Sequence, residues 1–342
     1  MKRIRVCWGA LIKIKMKDIK YLILFIFLLC AGCKSKGEVP VDPPAQHPPA
    51  DTLTVEDCSR CMVLAEQSRP AIRIVDVDKG KELWQWNPYR MDDVSEPEWF
   101  SHPDEVKPVY NNEYLLLTAS GGGVALVRIA DKKILFQAMV GGNPHSAELL
   151  PDGNIVTASS TGDYLRIFHV DTLQAPGEGY STKIPIPFGH NVVWDKTRNL
   201  LWSAGEDKLY GYEYNFNCTA PDLSPVDSLQ LRGSGAHDLF PVYGKDELWL
   251  TMDNRVYAYD LSEEKATLVD TPYQKQIKSV SSGPDGYPTI IIQPKEQWWT
   301  DEVIDLQGKS LFKQGGYKIY KARWFVENSF SYPEVHGMRV CS

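Results

Sequence analysis

One type of segment recurs through most of this 342-residue chain, and a recurrence of that length narrows the available folds more than any overall property does. Each copy runs from a polar or basic residue into an apolar strand, a turn, a second strand and a third. The copies are PHSAELLPDGNIVTAS, GHNVVWDKTRNLLWSAGE, AHDLFPVYGKDELWLTMDN, IKSVSSGPDGYPTIIIQP and EVKPVYNNEYLLLTASG. They are followed by the alternating strands YLRIFHV, KLYGYEY, RVYAYDL, DEVIDL and VALVRIA respectively. The lead residues His145, His190, His237, Lys278 and Lys321 stand 45, 47, 41 and 43 residues apart, and one propeller blade occupies ~40 to 50. Helical periodicity is absent, and turn residues recur at strand spacing. A β-sandwich has no reason to keep such strands in phase. The chain is therefore predicted to be an all-β, six-bladed β-propeller of four-stranded blades.

The two ends of the repeat region complete each other. Cys61 to Trp86 supply the second, third and fourth strands of a blade that lacks its innermost strand, and Lys321 to Asn328 supply an innermost strand without followers. Pairing them closes the first blade with the C-terminal strand and hides two edges that would otherwise seek partners. The propeller domain is placed at 58–342.

The residues before it read as address and tether. Basic residues up to Lys20 precede an apolar run from Tyr21 to Gly32, too short for the ~20 residues of a membrane span and typical of an export signal. Residues 1–32 are assigned to a signal peptide and 33–57, rich in Pro and polar residues, to an extended tether. Without the signal the chain carries 30 Lys and Arg against 43 Asp and Glu. That acidic balance argues against nucleic acid and against a polybasic membrane patch.

In a propeller the innermost strands line a central channel, so equivalent repeat positions converge at one end of it. His145, His190, His237, Lys278 and Lys321 are expected to form such a ring, the sixth place falling to Glu105 or Lys107. Three neutral imidazoles suit a divalent metal held by His145, His190 and His237. The lysines favour a small anionic ligand or glycan instead. The plain alternative is that these groups hydrogen-bond to strand ends and channel water, with any protein partner bound on the blade rims. Adjacent strand residues face opposite ways, so one of Trp298 and Trp299 is expected at the surface, where an indole suits sugar stacking. The Gly121 to Gly123 run lies between strands and lacks a helix, which makes it a turn and not a phosphate loop.

Exported cysteines are expected to pair. Cys58, Cys61, Cys218 and Cys341 allow three connectivities, and a bond from Cys341 to Cys58 or Cys61 would lock the ring shut. Cys58 and Cys61 could instead form a redox pair, although the strand–helix–strand setting of such pairs is missing.

Several stretches resemble known families. Cys30-Ala31-Gly32-Cys33 resembles the bacterial lipobox, which implies lipidation of Cys33. With the tether and repeats, the chain is similar to the uncharacterised secreted β-propeller lipoproteins of Bacteroidetes. That likeness implies anchoring in the outer membrane. Lys34-Ser35-Lys36 lacks the acidic cluster associated with surface export in such lipoproteins, which favours the periplasmic face. Asp78 to Trp86, and more weakly Asp305 to Phe312, resemble the repeat of quinoprotein dehydrogenases, from which only the blade turn carries over. His145 to Ile155 resembles the blade motif of periplasmic arylsulfotransferases, with His190 and His237 as partial copies. Oligogalacturonate lyases likewise gather histidines around a metal in a propeller channel. These likenesses imply a channel-sited enzyme as the alternative to a ligand-binding protein or an interaction platform.

Overall fold

The computed structural model describes residues 58–171, 179–333 and 338–339. The signal, the tether, Cys33 and Cys341 lie outside the described residues. Within them the chain forms six four-stranded antiparallel sheets. The other regular elements described are two short 3₁₀ turns, Pro88–Arg90 and Pro97–Phe100.

Blade 1 has the order Ile319–Trp324, Cys61–Glu66, Ala71–Asp76, Lys81–Trp86 from the inside outward. Its register runs antiparallel from Met62 opposite Trp324 to Glu66 opposite Ile319. The C-terminal strand therefore closes the first blade, as the repeat required. The remaining inner strands are Pro103–Val109 (blade 2), Pro144–Leu149 (blade 3), Val193–Asp195 (blade 4), Asp238–Pro241 (blade 5) and Ser279–Ser281 (blade 6).

Burial follows the sheet geometry. A sheet packed on both faces needs apolar residues on both, and Cys61–Glu66 and Tyr114–Ala119 are buried at every position. Outer strands such as Lys265–Leu268 are exposed throughout. Each junction between neighbouring blades holds its own apolar cluster. The cluster between blades 6 and 1 is built on Met62, Leu64, Ile290, Ile292 and Trp324. Trp324 also donates Nε1 to the Pro288 carbonyl at 2.9 Å.

The cysteines correct one expectation. Cys58 is bonded to Cys61 across Cα atoms 5.9 Å apart, so neither is left for Cys341. The bond is local, at the entrance to the first strand, and among the described residues the ring is closed by strand pairing. Cys218 is disulfide-bonded as well.

Two outcomes follow from this architecture. Trp324→Ala removes the largest side chain of the closing junction and is expected to lower unfolding free energy by about 3–5 kcal/mol, measured by chemical denaturation. Peptide mapping without reductant should recover Cys58 and Cys61 joined to each other. A bond from either to Cys341 would contradict the closure described here.

Candidate functional site

Every blade presents one residue at the start of its inner strand, and three of these residues are aimed by β-bulges. The pairing register jumps between Pro103 and Glu105, between Pro144 and Ser146, and opposite Ala65 and Glu66 between Lys321 and Ile319. Asp104, His145 and Tyr320 are thereby left without cross-strand partners, and a bulged residue turns its side chain away from the ladder. Left-handed residues precede two of the bulges, His102 at φ 56° and Asn143 at φ 59°.

Together these elements form a cavity of about 440 Å³ at the channel mouth, lined by Gln67, His102, Asp104, Ser120, Asn143, His145, His190, His237, Trp298 and Tyr320. The three predicted histidines are brought together there. Lys278 stands beside them, its Nζ 5.9 Å from the centre of the Tyr320 ring. The other predicted members are displaced by one bulge each. Tyr320 takes the mouth position expected for Lys321, and Asp104 the one expected for Glu105 or Lys107.

Those three charged residues lie deeper and close the channel. Lys321 Nζ is 3.2 Å from Asp238 and 3.5 Å from Glu105, while Arg323 pairs with both carboxylates. Lys107 Nζ is 3.0 Å from Glu148 and donates to the Val192 carbonyl at 2.7 Å. All six side chains are buried. Burial alone would raise the Glu105 carboxyl, but Lys107, Lys321 and Arg323 together hold it well below the usual carboxylate range. Burial dominates at Glu148, which is pushed up to about 7 despite Lys107.

Above this plug the imidazoles stack. His145 and His190 lie 4.6 Å apart at an interplanar angle of 10°, Tyr320 covers His145 at 5.6 Å, and His237 meets His190 edge-on at 4.9 Å. His190 Nδ1 is 3.0 Å from the Phe188 carbonyl. A carbonyl only accepts, so Nδ1 carries the proton and Nε2 the lone pair. His145 Nδ1 is 3.4 Å from Asp104 Oδ1, near enough for electrostatic attraction but without hydrogen-bond alignment. Burial, then the charges of His145 and His237, hold His190 far below its ordinary value. Burial, then Lys278, pushes His237 down to about 3. Both rings are neutral at pH 7.

Metal binding by His145, His190 and His237 is not what this geometry offers. The near-parallel rings of His145 and His190 keep their lone pairs in separate, near-parallel planes, whereas a metal needs them to converge on one point. Among the described residues no three His, Cys, Asp or Glu side chains are grouped to hold an ion.

Sequence reasoning missed Asp104, Tyr320, Gln67, His102, Ser120 and Asn143. A usable signal existed for two of these: His102-Pro103 and Asn143-Pro144 are the same dipeptide pattern at the same blade position, and aligning the prolines sets Asp104 against His145. Gln67 lies in a turn of blade 1, where it receives the Trp298 indole Nε1 at 3.0 Å and faces Asp104 at 3.4 Å. Nothing local marked it. A second cavity of about 410 Å³ lies at the far end of the channel, with walls that include Tyr110, Leu149 and Trp194. It is mostly apolar.

The model of a family of unknown function, DUF6528, matches residues 15–342. The chain belongs to this family. No curated protein matches it. Among solved structures it is similar to a protein of unknown function from Bacteroides caccae, with a TM-score of 0.54 and 14% identity over 79% of this chain and 99% of that one. This likeness concerns the fold alone. Hydrazine synthase from Kuenenia stuttgartiensis matches at a TM-score of 0.43 and 12% identity, covering 64% of each chain, a similarity that says nothing about function here.

Protonating His237 must oppose folding. Because the folded His237 titrates near 3 and the unfolded side chain near 6.5, its contribution is complete above pH ~6.5 and is lost as pH falls toward 3, at about 1.4 kcal/mol per unit. Denaturation midpoints measured between pH 7 and 4 should fall more steeply for the parent protein than for His237→Gln.

Proposed function

We propose that this protein is a lipid-anchored propeller of the cell envelope that binds a small saccharide, preferably an acidic one, at the channel mouth. The observation that carries the reading is the composition of the pocket. Its volume of about 440 Å³ falls within the ~300–1,000 Å³ of small-molecule sites. Trp298 offers an indole that is 46% exposed, held edgewise by Gln67. Around it stand imidazoles, amides and hydroxyls, which can donate to and accept from ligand hydroxyls. The ion-paired plug makes the pocket a dead end, so a ligand enters and leaves by one mouth. Lys278 supplies the preference for acid: its ammonium has no ion-pair partner among the described residues. The lipobox-like Cys30 to Cys33 and the Pro-rich tether support the placement in the envelope, on the periplasmic side of the outer membrane.

A transfer enzyme using His145 is the second reading. It is favoured by Asp104, which sits behind His145 as an orienting carboxylate would.

Calorimetric titration with neutral and acidic mono- and oligosaccharides tests the binding reading. Trp298→Ala is expected to weaken every binding sugar by about two- to tenfold, and Lys278→Gln to weaken acidic sugars about tenfold while sparing neutral ones. Burial and Lys321 push Lys278 down to about 8, so acidic-sugar affinity should fall as pH rises past 8 and the ammonium is lost. Binding that survives both substitutions unchanged would place the ligand elsewhere.

A further inference from the structure

The inner strands carry four cations into the channel, and three of them are neutralised. Lys107 is paired with Glu148, and Lys321 and Arg323 share Glu105 and Asp238. Lys278 differs. Among the described residues its Nζ makes no hydrogen bond or ion pair, and it stands 5.9 Å from the centre of the Tyr320 ring. The carboxylate that bears on it, Asp253, stays outside ion-pair distance, while Lys321 repels it. The residue is only 8% exposed, yet its unpaired Nζ is not among the atoms sealed from solvent. Its two aromatic neighbours, Tyr320 beneath it and His237, whose ring feels its charge, both line the mouth cavity.

A buried ammonium left unpaired is costly, and the cost falls when the amine gives up its proton. The other three channel cations each face a carboxylate, and Lys278 does not. An amine that is unpaired, placed against two residues of the mouth cavity and set against a second cation is an arrangement that activates a lysine as a nucleophile.

We propose that Lys278 forms an imine with a small aldehyde or ketone admitted at the channel mouth. The neutral amine adds its lone pair to the carbonyl carbon, and the carbonyl π pair moves to oxygen. A proton passes from nitrogen to that oxygen, giving a carbinolamine. Solvent protonates the hydroxyl, which leaves as water as the nitrogen lone pair forms the C=N bond, and the resulting iminium returns that proton to solvent to give the imine. No oxidant or reductant takes part, and the step reverses by adding water. Open-chain aldoses and α-keto acids are the carbonyl classes that fit the polar lining. The inference goes beyond sugar binding, because it requires only that the mouth admit the carbonyl compound.

Burial and Lys321 hold Lys278 at about 8, so at pH 7.5 its neutral fraction exceeds that of an ordinary lysine by about two orders of magnitude. The test uses the full-length protein with glycolaldehyde and cyanoborohydride at pH 7.5, followed by peptide mapping. The expected result is one reduced adduct on Lys278, formed about tenfold or more faster than on exposed lysines such as Lys245 and Lys265, with a rate that rises through pH 8 and levels off. Lys278→Arg keeps the positive charge and should abolish that adduct while leaving the melting curve intact. Unmodified Lys278 in the parent protein, or adducts spread over exposed lysines at comparable rates, overturns the proposal, and neither result depends on a variant folding. If the parent protein binds none of the sugars titrated yet forms the Lys278 adduct, only the saccharide reading is overturned.

Discussion

The buried cluster of Glu105, Asp238, Lys321 and Arg323 is the constraint on which the rest of the site depends. These side chains come from blades 2, 5 and 1, so they meet only if the ring is closed in the correct register. Arg323 also bonds the Val280 carbonyl of blade 6 at 2.9 Å, and Lys107 of blade 2 reaches Glu148 of blade 3 and the Val192 carbonyl beside blade 4. Every blade is thus tied to the axis by a charged contact. Burying such ions costs several kcal/mol each, and their attraction repays this only with good geometry. The match is not perfect, since Glu105 Oε2 and Arg323 Nε remain buried without hydrogen bonds. The cluster is better understood as a device that specifies blade number and register than as a net source of stability, which the apolar junctions supply.

Apolar junctions alone would not choose one ring. Clusters of similar composition sit at each blade boundary, and a blade slipped by one position could bury a comparable area. A slip would, however, remove a carboxylate from Arg323 or Lys107. Breaking a buried pair costs about 3–5 kcal/mol, enough to reject the wrong register. The C-terminal strand carries both halves of this logic: Trp324 fills the last junction and Arg323 reads the axis. Closure and channel plugging are therefore one event.

The repeat spacing made the fold legible because a blade is a self-contained unit of period and turn, and period and turn are what a sequence displays. The same spacing located His145, His190, His237 and Lys278, which stand at the mouth. It failed at Lys321, Glu105 and Lys107 for a single physical reason. Bulges at Tyr320 and Asp104 insert one residue ahead of the regular ladder, and an offset of one moves a side chain from the mouth to the plug. Repeat counting cannot see a bulge, because it leaves the spacing within its normal scatter. The metal reading failed differently. Three histidines at equivalent positions were correctly brought together, but whether rings converge or stack is decided by neighbours such as Phe188 and Tyr320, which no spacing rule specifies. Gln67 belongs to a turn whose importance arises only from Trp298, 231 residues away.

The layers of the channel have a consequence for charge at its mouth. The plug balances three cations with three carboxylates, one of which, Glu148, is poised near neutrality, so the floor beneath the imidazoles is neutral or weakly positive. Burial, with a smaller contribution from Lys321 of this floor, keeps His190 and His237 unprotonated. His190 and His237, which meet edge-on at 4.9 Å, thus avoid the repulsion of two imidazolium ions and offer nitrogens that donate and accept. Polarity without charge favours hydroxyl groups over ions. The charged exceptions, Asp104 and Lys278, stand on blades 2 and 6, to either side of Tyr320 on blade 1. A ligand lying across Tyr320 would therefore meet a carboxylate at one end and an amine at the other, which orients it before any chemistry begins.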